Sequence, residues 1–262
     1  MSSQSVKSEY ERQGFAQVRD LLSPAEMDVI RAELDRLTRS AGDHPGIILE
    51  KDGKTLRSLS NPQRYSDVFT RLIRHPRLVS AVEELLDDKL YVFQLGVNCK
   101  AAFGGDIWYW HQDFPTYHYD DHIPEPRMVN TLILVDESNE FNAPLMVVPE
   151  SHTTPYPKPV TSDKGTSYAI RYMDAELVTR QATQSGLVSL KGAPGSVTFM
   201  NTNLIHGSTA NMSPFPRRMI TLTYNALSNK ATHPSVRDRN IVADDSQATA
   251  LEPLDADCLL RA

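Results

Sequence analysis

Cysteine is scarce: Cys99 and Cys258 are the only two in 262 residues, and no Cys-x-x-Cys spacing occurs. That argues against a disulfide framework and a thiolate zinc site, and the expected setting is a reducing, cytoplasmic one. Long apolar runs are missing too. Nothing approaches the ~20 residues that span a bilayer, and the opening MSSQSVKSEYERQGF has no apolar signal-peptide core. A soluble protein without a membrane partner is expected. Basic charge is in deficit, with 27 Lys and Arg against 33 acids, a net charge of −6, and bases mixed along the chain. With no basic stripe to neutralise phosphates, nucleic acid is excluded as the expected partner. The absence of any period of 20 to 50 residues excludes solenoids and propellers.

What remains is an ordinary globular composition, 40% hydrophobic and 8% aromatic, enough for a sizeable core. Ser23-Pro24-Ala25-Glu26 reads as an N-cap, a proline at the first helical position and an early acid. Met27, Ile30, Leu34 and Leu37 then recur at helical spacing. A second helical stretch is expected from Tyr65 to Leu86, broken or kinked at His75-Pro76. The first third, 1–89, is thus read as mainly helical support. From Leu90 the texture changes to short apolar or alternating runs: LYVFQLGV, IWYWHQDF, MVNTLILV, PLMVV, GLVSL, GSVTFM and RMITLTYNA. Strands after helices predict one mainly β domain, a sandwich or barrel over 90–228 with helices packed outside. The long polar stretch 153–185, with a helical hint only around Asp174 to Gln181, is expected to be a lid loop. The acidic end, 229–262, has no periodicity by which to place it.

One segment concentrates the chemistry: WYWHQDFPTYHYDDHIP, residues 108 to 124. If it starts as a strand, His111 and Asp113 project to one face and Gln112 to the other. A third ligand is then needed, and His206, directly after the strand GSVTFM, is the clearest later histidine. Two histidines and one carboxylate on one face of an octahedron leave three open positions, the arrangement of non-haem Fe(II) centres that activate O₂. A chelating 2-oxo acid would also need a partner for its distal carboxylate, for which guanidinium is the fitting fork. Arg217 shares its strand face with Met219, Thr221 and Thr223, like a pocket wall. Arg218 shares its face with Ile220, Leu222 and Tyr224, a packing face, so Arg217 is preferred and Arg218 is read as a surface cation.

The motif His111-Gln112-Asp113, the segment NAPLMVVPESH at 142–152 and HGSTANMSPFPR at 206–217 resemble the phytanoyl-CoA dioxygenase (PhyH) family of Fe(II)/2-oxoglutarate oxygenases. Within it they are most similar to the ectoine hydroxylases. The resemblance implies a double-stranded β-helix (jelly-roll, cupin-like) fold, iron held by His111, Asp113 and His206, and O₂ as oxidant. It implies 2-oxoglutarate contacts from Arg217, Lys100, Asn98 and Ser208, and substrate contacts from Gln94, Thr116, Tyr117, Asn203 and Trp110. On alternation alone Trp110 points away from His111. An acid at position 113 favours hydroxylation, desaturation or ring formation over halogenation, whose enzymes carry a small residue there. Tyr117 stands where ectoine hydroxylases have tryptophan, and Asn203 where they have phenylalanine. Exchanging aromatic wall for hydrogen-bonding capacity predicts a more polar, amino-acid-like substrate, with ectoine as the alternative.

Other readings stay open at this stage. A CoA-tethered substrate would want a basic entrance, which the chain lacks, and a non-catalytic β-barrel holding zinc structurally is the rival of a different class. His118, Asp120, Asp121 and His122 are read as a solvated loop, Arg127 as a strand-entrance cation, and Ser151-His152 as structural. Oligomeric state is open, with a homodimer one option.

Overall fold

A computed structural model describes residues 3–39, 45–154, 160–162, 170–242, 245 and 247–261. Ser23 and Glu26 form a reciprocal cap. The Glu26 carboxylate accepts from Ser23 N–H at 2.7 Å and from its hydroxyl at 2.8 Å, while Ser23 Oγ accepts from the Glu26 N–H at 3.3 Å. This starts α2 (Pro24–Arg39), whose Met27, Ile30, Leu34 and Leu37 are buried as their spacing predicts. After α1 (Ser3–Gln13) and α2, the expected second helical stretch divides into α3 (Asp67–Leu72) and α4 (Pro76–Leu86). The division falls at His75-Pro76, where the proline ring drives the preceding residue out of the helical region.

All seven expected strands form: β4 (Leu90–Lys100), β5 (Trp108–His111), β6 (Met128–Leu134), β7 (Leu145–Val147), β10 (Val188–Leu190), β11 (Val197–Asn201) and β13 (Arg217–Ala226). The first third is less purely helical than expected. It adds β1 (Phe15–Val18), β2 (Ile47–Leu49) and β3 (Leu56–Ser60), which are too short to display a period of two. Further along come β8 (Val160–Ser162), β9 (Ile170–Tyr172) and β12 (His206–Ser208), with α5 (Phe114–Tyr119) and α6 (Ala175–Ser185). The stretch expected to be a lid loop therefore contains two strands and a helix capped by Asp174, whose carboxylate accepts from Glu176 N–H at 2.7 Å. Within it, 155–159 and 163–169 lie outside the described residues.

Two antiparallel sheets result, ordered β1-β11-β6-β13-β4-β3-β2 and β10-β7-β12-β5-β9-β8, the jelly-roll arrangement. Strand alternation assigns the faces of the larger sheet. Ile133, Ile220, Leu222, Tyr224, Leu95 and Val97 pack outward against the helices. Leu132, Leu134, Met200 and Met219 face inward against Leu145 and Val147 of the smaller sheet. In β4 a bulge opposite Thr223/Tyr224 inserts Phe93, which joins Gln94 on the inner face. The acidic C-terminal segment folds back across the sheet ends: Leu251 N–H donates to the Leu90 carbonyl at 2.8 Å and Leu254 N–H to that of Arg74 at 2.9 Å. Among the described residues no helix is long and apolar enough to cross a membrane. Cys99 and Cys258 are buried and unpaired.

Glu26 does more than cap α2, since His75 Nε2 lies 2.9 Å from its carboxylate and Arg77 Nη2 2.6 Å from it. Burial would raise the Glu26 carboxyl, but hydrogen bonds from Ser23 and Arg77 outweigh it and hold it down to about 2. A carboxyl depressed in the folded state contributes stability above its unfolded value and loses it as pH falls. Glu26→Gln is therefore expected to flatten the acid limb of the stability curve between about pH 4.5 and 2. At neutral pH it should cost roughly 2–3 kcal/mol, held below the fully buried figure because Arg77 is 40% exposed. Urea unfolding across pH is the measurement, and a parallel acid limb in both proteins would refute the assignment.

Candidate metal centre and substrate cavity

His111 closes β5 and His206 opens β12, and the two face each other in register. Their ring centroids are 4.1 Å apart. His111 Nδ1 lies 2.6 Å from the Tyr109 carbonyl and His206 Nδ1 2.9 Å from that of Leu204. A carbonyl only accepts, so each Nδ1 carries the proton and each Nε2 keeps its lone pair, the orientation metal-binding histidines need. Gly207, between His206 and Ser208, permits this approach, because a Cβ there would sit 2.9 Å from the Trp108 carbonyl oxygen.

Asp113 arrives by a different route from the alternation expected. β5 ends at His111, and Asp113 has φ −79° and ψ −39° at the entrance of α5, with Pro115 in the first turn. The N–H groups of Asp113 and Phe114 both donate to the Thr202 carbonyl at 3.0 Å. A turn, not a pleat, thus brings the carboxylate 3.5 Å from His111 Nε2 and 3.6 Å from His206 Nε2. One ligand atom from each of the three residues lies within 4.8 Å of the others. Burial would raise the Asp113 carboxyl, but the flanking imidazoles hold it down to about 2. Burial and the neighbouring His111 push His206 down to about 4. Burial opposes the charged form of His111 as well, yet Asp113 outweighs it and raises its pKa. An ionised carboxylate and lone-pair imidazoles form the donor set of a facial Fe(II) site.

The centre opens into a cavity of about 440 Å³. Arg217 and Ser208 belong to its wall, and Arg217 Nε and Ser208 Oγ are buried without a hydrogen-bond partner. Arg217 Nη2 donates to the Ala143 carbonyl at 2.5 Å. Burial lowers the guanidinium to about 10, so it stays charged at neutral pH. Arg218 lies on the other face, paired with Asp136 at 2.8 Å and Asp35 at 2.5 Å, as strand alternation predicts. Asn98, Gln94, Thr116 and Tyr117 line the cavity.

Three expected residues do not line it. Lys100 stands opposite Arg217 in register, but its ammonium is buried and donates to the Asp106 carbonyl. Burial and the charges of Arg217 and Arg57 lower it to about 7. Trp110 packs with Val148, Val178 and Ile205 on the far side of β5. Asn203 is 8% exposed and its carbonyl accepts from Gln112 Nε2 at 2.5 Å, away from the cavity. The argument from Asn203 for a polar substrate therefore lapses, whereas Tyr117 does line the cavity.

The sequence reading missed two cations in the wall. Arg171, on β9, pairs with Asp120, and Arg237, in the C-terminal segment, pairs with Asp121 and also donates to Gln94 Oε1 at 3.2 Å. Asp120 and Asp121 are accordingly ion-pair partners and not a solvated loop. Nothing local marked either arginine, since each is brought in by a segment without apolar periodicity.

The family model for phytanoyl-CoA dioxygenase (PhyH) matches residues 10–219. An ectoine dioxygenase of Bordetella bronchiseptica is 34% identical, over 89% of this chain and 78% of the relative. An L-proline trans-4-hydroxylase of Streptomyces griseoviridis is 32% identical over 97% of both chains. The crystal structure of EctD from S. alaskensis with bound Fe superposes with a TM-score of 0.84 at 31% identity, covering 97% of this chain and 87% of that one. That of the same protein with 2-oxoglutarate and 5-hydroxyectoine gives 0.83 at 29%. Motif, fold and full-length similarity agree, and the chain belongs to the phytanoyl-CoA dioxygenase (PhyH) family.

Proposed function

We propose that the chain is an Fe(II)- and 2-oxoglutarate-dependent dioxygenase that hydroxylates an unactivated C–H bond of a small, zwitterionic amino-acid-like molecule. The observation that carries this is a single cavity uniting an open two-histidine, one-carboxylate set with the unpaired buried donors of Arg217 and Ser208. His111, Asp113 and His206 would hold Fe(II), which supplies O₂ activation coupled to oxidation of 2-oxoglutarate. The chain's own residues place and enclose the reactants. Arg217 and Ser208 offer charge-assisted and neutral hydrogen bonds to the distal carboxylate, and Asn98 adds an amide to the wall. Lys100, behind that wall and with its pKa lowered to about 7, adds positive potential only while it holds its proton.

At the other end Gln94, Thr116 and Tyr117 form the substrate side with the Arg171–Asp120 and Arg237–Asp121 pairs, which present both signs of charge to a zwitterion. Arg171 lies in the segment 153–185, which supports reading that segment as a cover for the mouth. We read both sheets, the helices and the C-terminal segment as one domain, working in the cytoplasm on a free small molecule. A structural zinc site would close its sphere with a fourth ligand and give Arg217 no task.

A second reading, ectoine hydroxylation, draws on the 34% identity to an ectoine dioxygenase. The similarity to the proline hydroxylase covers 97% of both chains, and Tyr117 stands where ectoine hydroxylases have tryptophan, so a free amino acid is preferred. Substrate-stimulated 2-oxoglutarate consumption over L-proline, other free amino acids, aminophosphonates and ectoine decides. A free amino acid should give the largest stimulation. A larger response to ectoine installs the second reading, and no response to any compound of the panel refutes the amino-acid assignment.

A further inference from the structure

A short, buried hydrogen-bond chain ends on Asp113. Asn130 on β6 donates its side-chain amide to Asp113 Oδ2 at 2.5 Å, and its carbonyl oxygen accepts from Thr223 Oγ1 at 2.7 Å. Asn130 and Thr223 face each other in register on the inner face of the larger sheet, and both are fully buried. Asn130 itself lines the cavity, as does Tyr117. The direction of every bond is fixed by chemistry. The carboxylate can only accept, so Asn130 must turn its nitrogen to Asp113 and its oxygen to Thr223. Thr223 spends its one proton there.

The surroundings argue against a packing role. Met128, Leu132 and Leu134 on the same face of β6 are apolar, and an apolar pair at 130 and 223 would fill the space at little or no cost in stability. The polar residues stand where the face meets Asp113. Asn130 engages Oδ2, which would favour Oδ1, 3.5 Å from His111 Nε2, as the ligand atom.

We propose that Asn130, held by Thr223, is a positioning residue that fixes the orientation of the Asp113 carboxylate from the cavity wall. The proposal rests on the metal-centre reading above.

Anaerobic titration of the full chain with Co(II), whose visible spectrum reports ligand geometry, tests it without turnover. Asn130→Ala is expected to weaken Co(II) binding about 10–100-fold, the usual effect of losing an outer partner of a ligand. Thr223→Val keeps shape while breaking the more distant link, and it leaves the buried Asn130 carbonyl oxygen unpaired, a cost of about 1–3 kcal/mol in urea unfolding. It should also shift the Co(II) spectrum and weaken binding roughly 3–10-fold. Because both substitutions break one chain, Asn130→Ala combined with Thr223→Val should lose no more Co(II) affinity than Asn130→Ala alone. Parent-like spectra and affinity in Thr223→Val overturn the proposal, as does a double variant whose losses multiply. If the parent chain itself binds no Co(II), the metal-centre reading fails and the proposal with it.

Discussion

Asp113→Ala is expected to abolish substrate-dependent succinate formation, lowering it by more than about a hundredfold, beyond what loss of an outer partner costs. Asp113 supplies the only negative charge among the three converging side chains. With its pKa held down to about 2, it is ionised throughout the pH range of any assay. Removing it leaves two imidazoles, and it also takes away the charge that raises His111. The fold should survive. The bonds from Asp113 and Phe114 to the Thr202 carbonyl are made by backbone N–H groups, and alanine accepts the αR conformation at this position. What stays behind is the Asn130 amide without its acceptor, a cost of about 1–3 kcal/mol visible in urea unfolding. Inactivity with a modest stability loss fits a ligand. Retained succinate formation would exclude Asp113 from the centre.

How far this centre could be read from the sequence differs by residue. Arg217 was separable from Arg218 because β13 is long and alternates cleanly, so the apolar partners of Arg218 declared its face. His111 and Asp113 were paired by the right conclusion and the wrong geometry. The i, i+2 rule describes a strand, and the strand stops at His111 because Pro115 favours the first turn of a helix. Gln94 shares the cavity face with Gly96 and Asn98 by plain alternation, whereas its neighbour Phe93 is placed by a bulge opposite β13 that no local pattern announces. Arg237 was illegible for another reason. It lies 143 residues from the Gln94 it contacts, in a segment held by scattered backbone hydrogen bonds and not by an apolar stripe. Periodicity reports burial of one face, and a segment that only lies across others leaves no such trace.

Arg217→Leu should raise the apparent KM for 2-oxoglutarate by roughly two orders of magnitude, equivalent to about 2–3 kcal/mol, while leaving thermal stability unchanged or higher. The two halves have one cause. Arg217 keeps its charge in a buried position where Nε has no partner and Nη2 reaches only a backbone carbonyl. A buried cation without an acid costs the folded chain free energy, and an apolar side chain of similar bulk removes that cost. The same unpaired donors give a carboxylate a bidentate site. Arg217→Lys should recover little, since an ammonium restores charge but not the planar fork. The decisive comparison is with 2-oxopentanoate, which keeps the chelating end of 2-oxoglutarate and lacks its distal carboxylate. The parent should prefer 2-oxoglutarate strongly, and Arg217→Leu should lose that preference by nearly the factor its KM for 2-oxoglutarate rises. If the variant is destabilised and its preference for the dicarboxylate persists, Arg217 holds the wall together and another group binds the carboxylate.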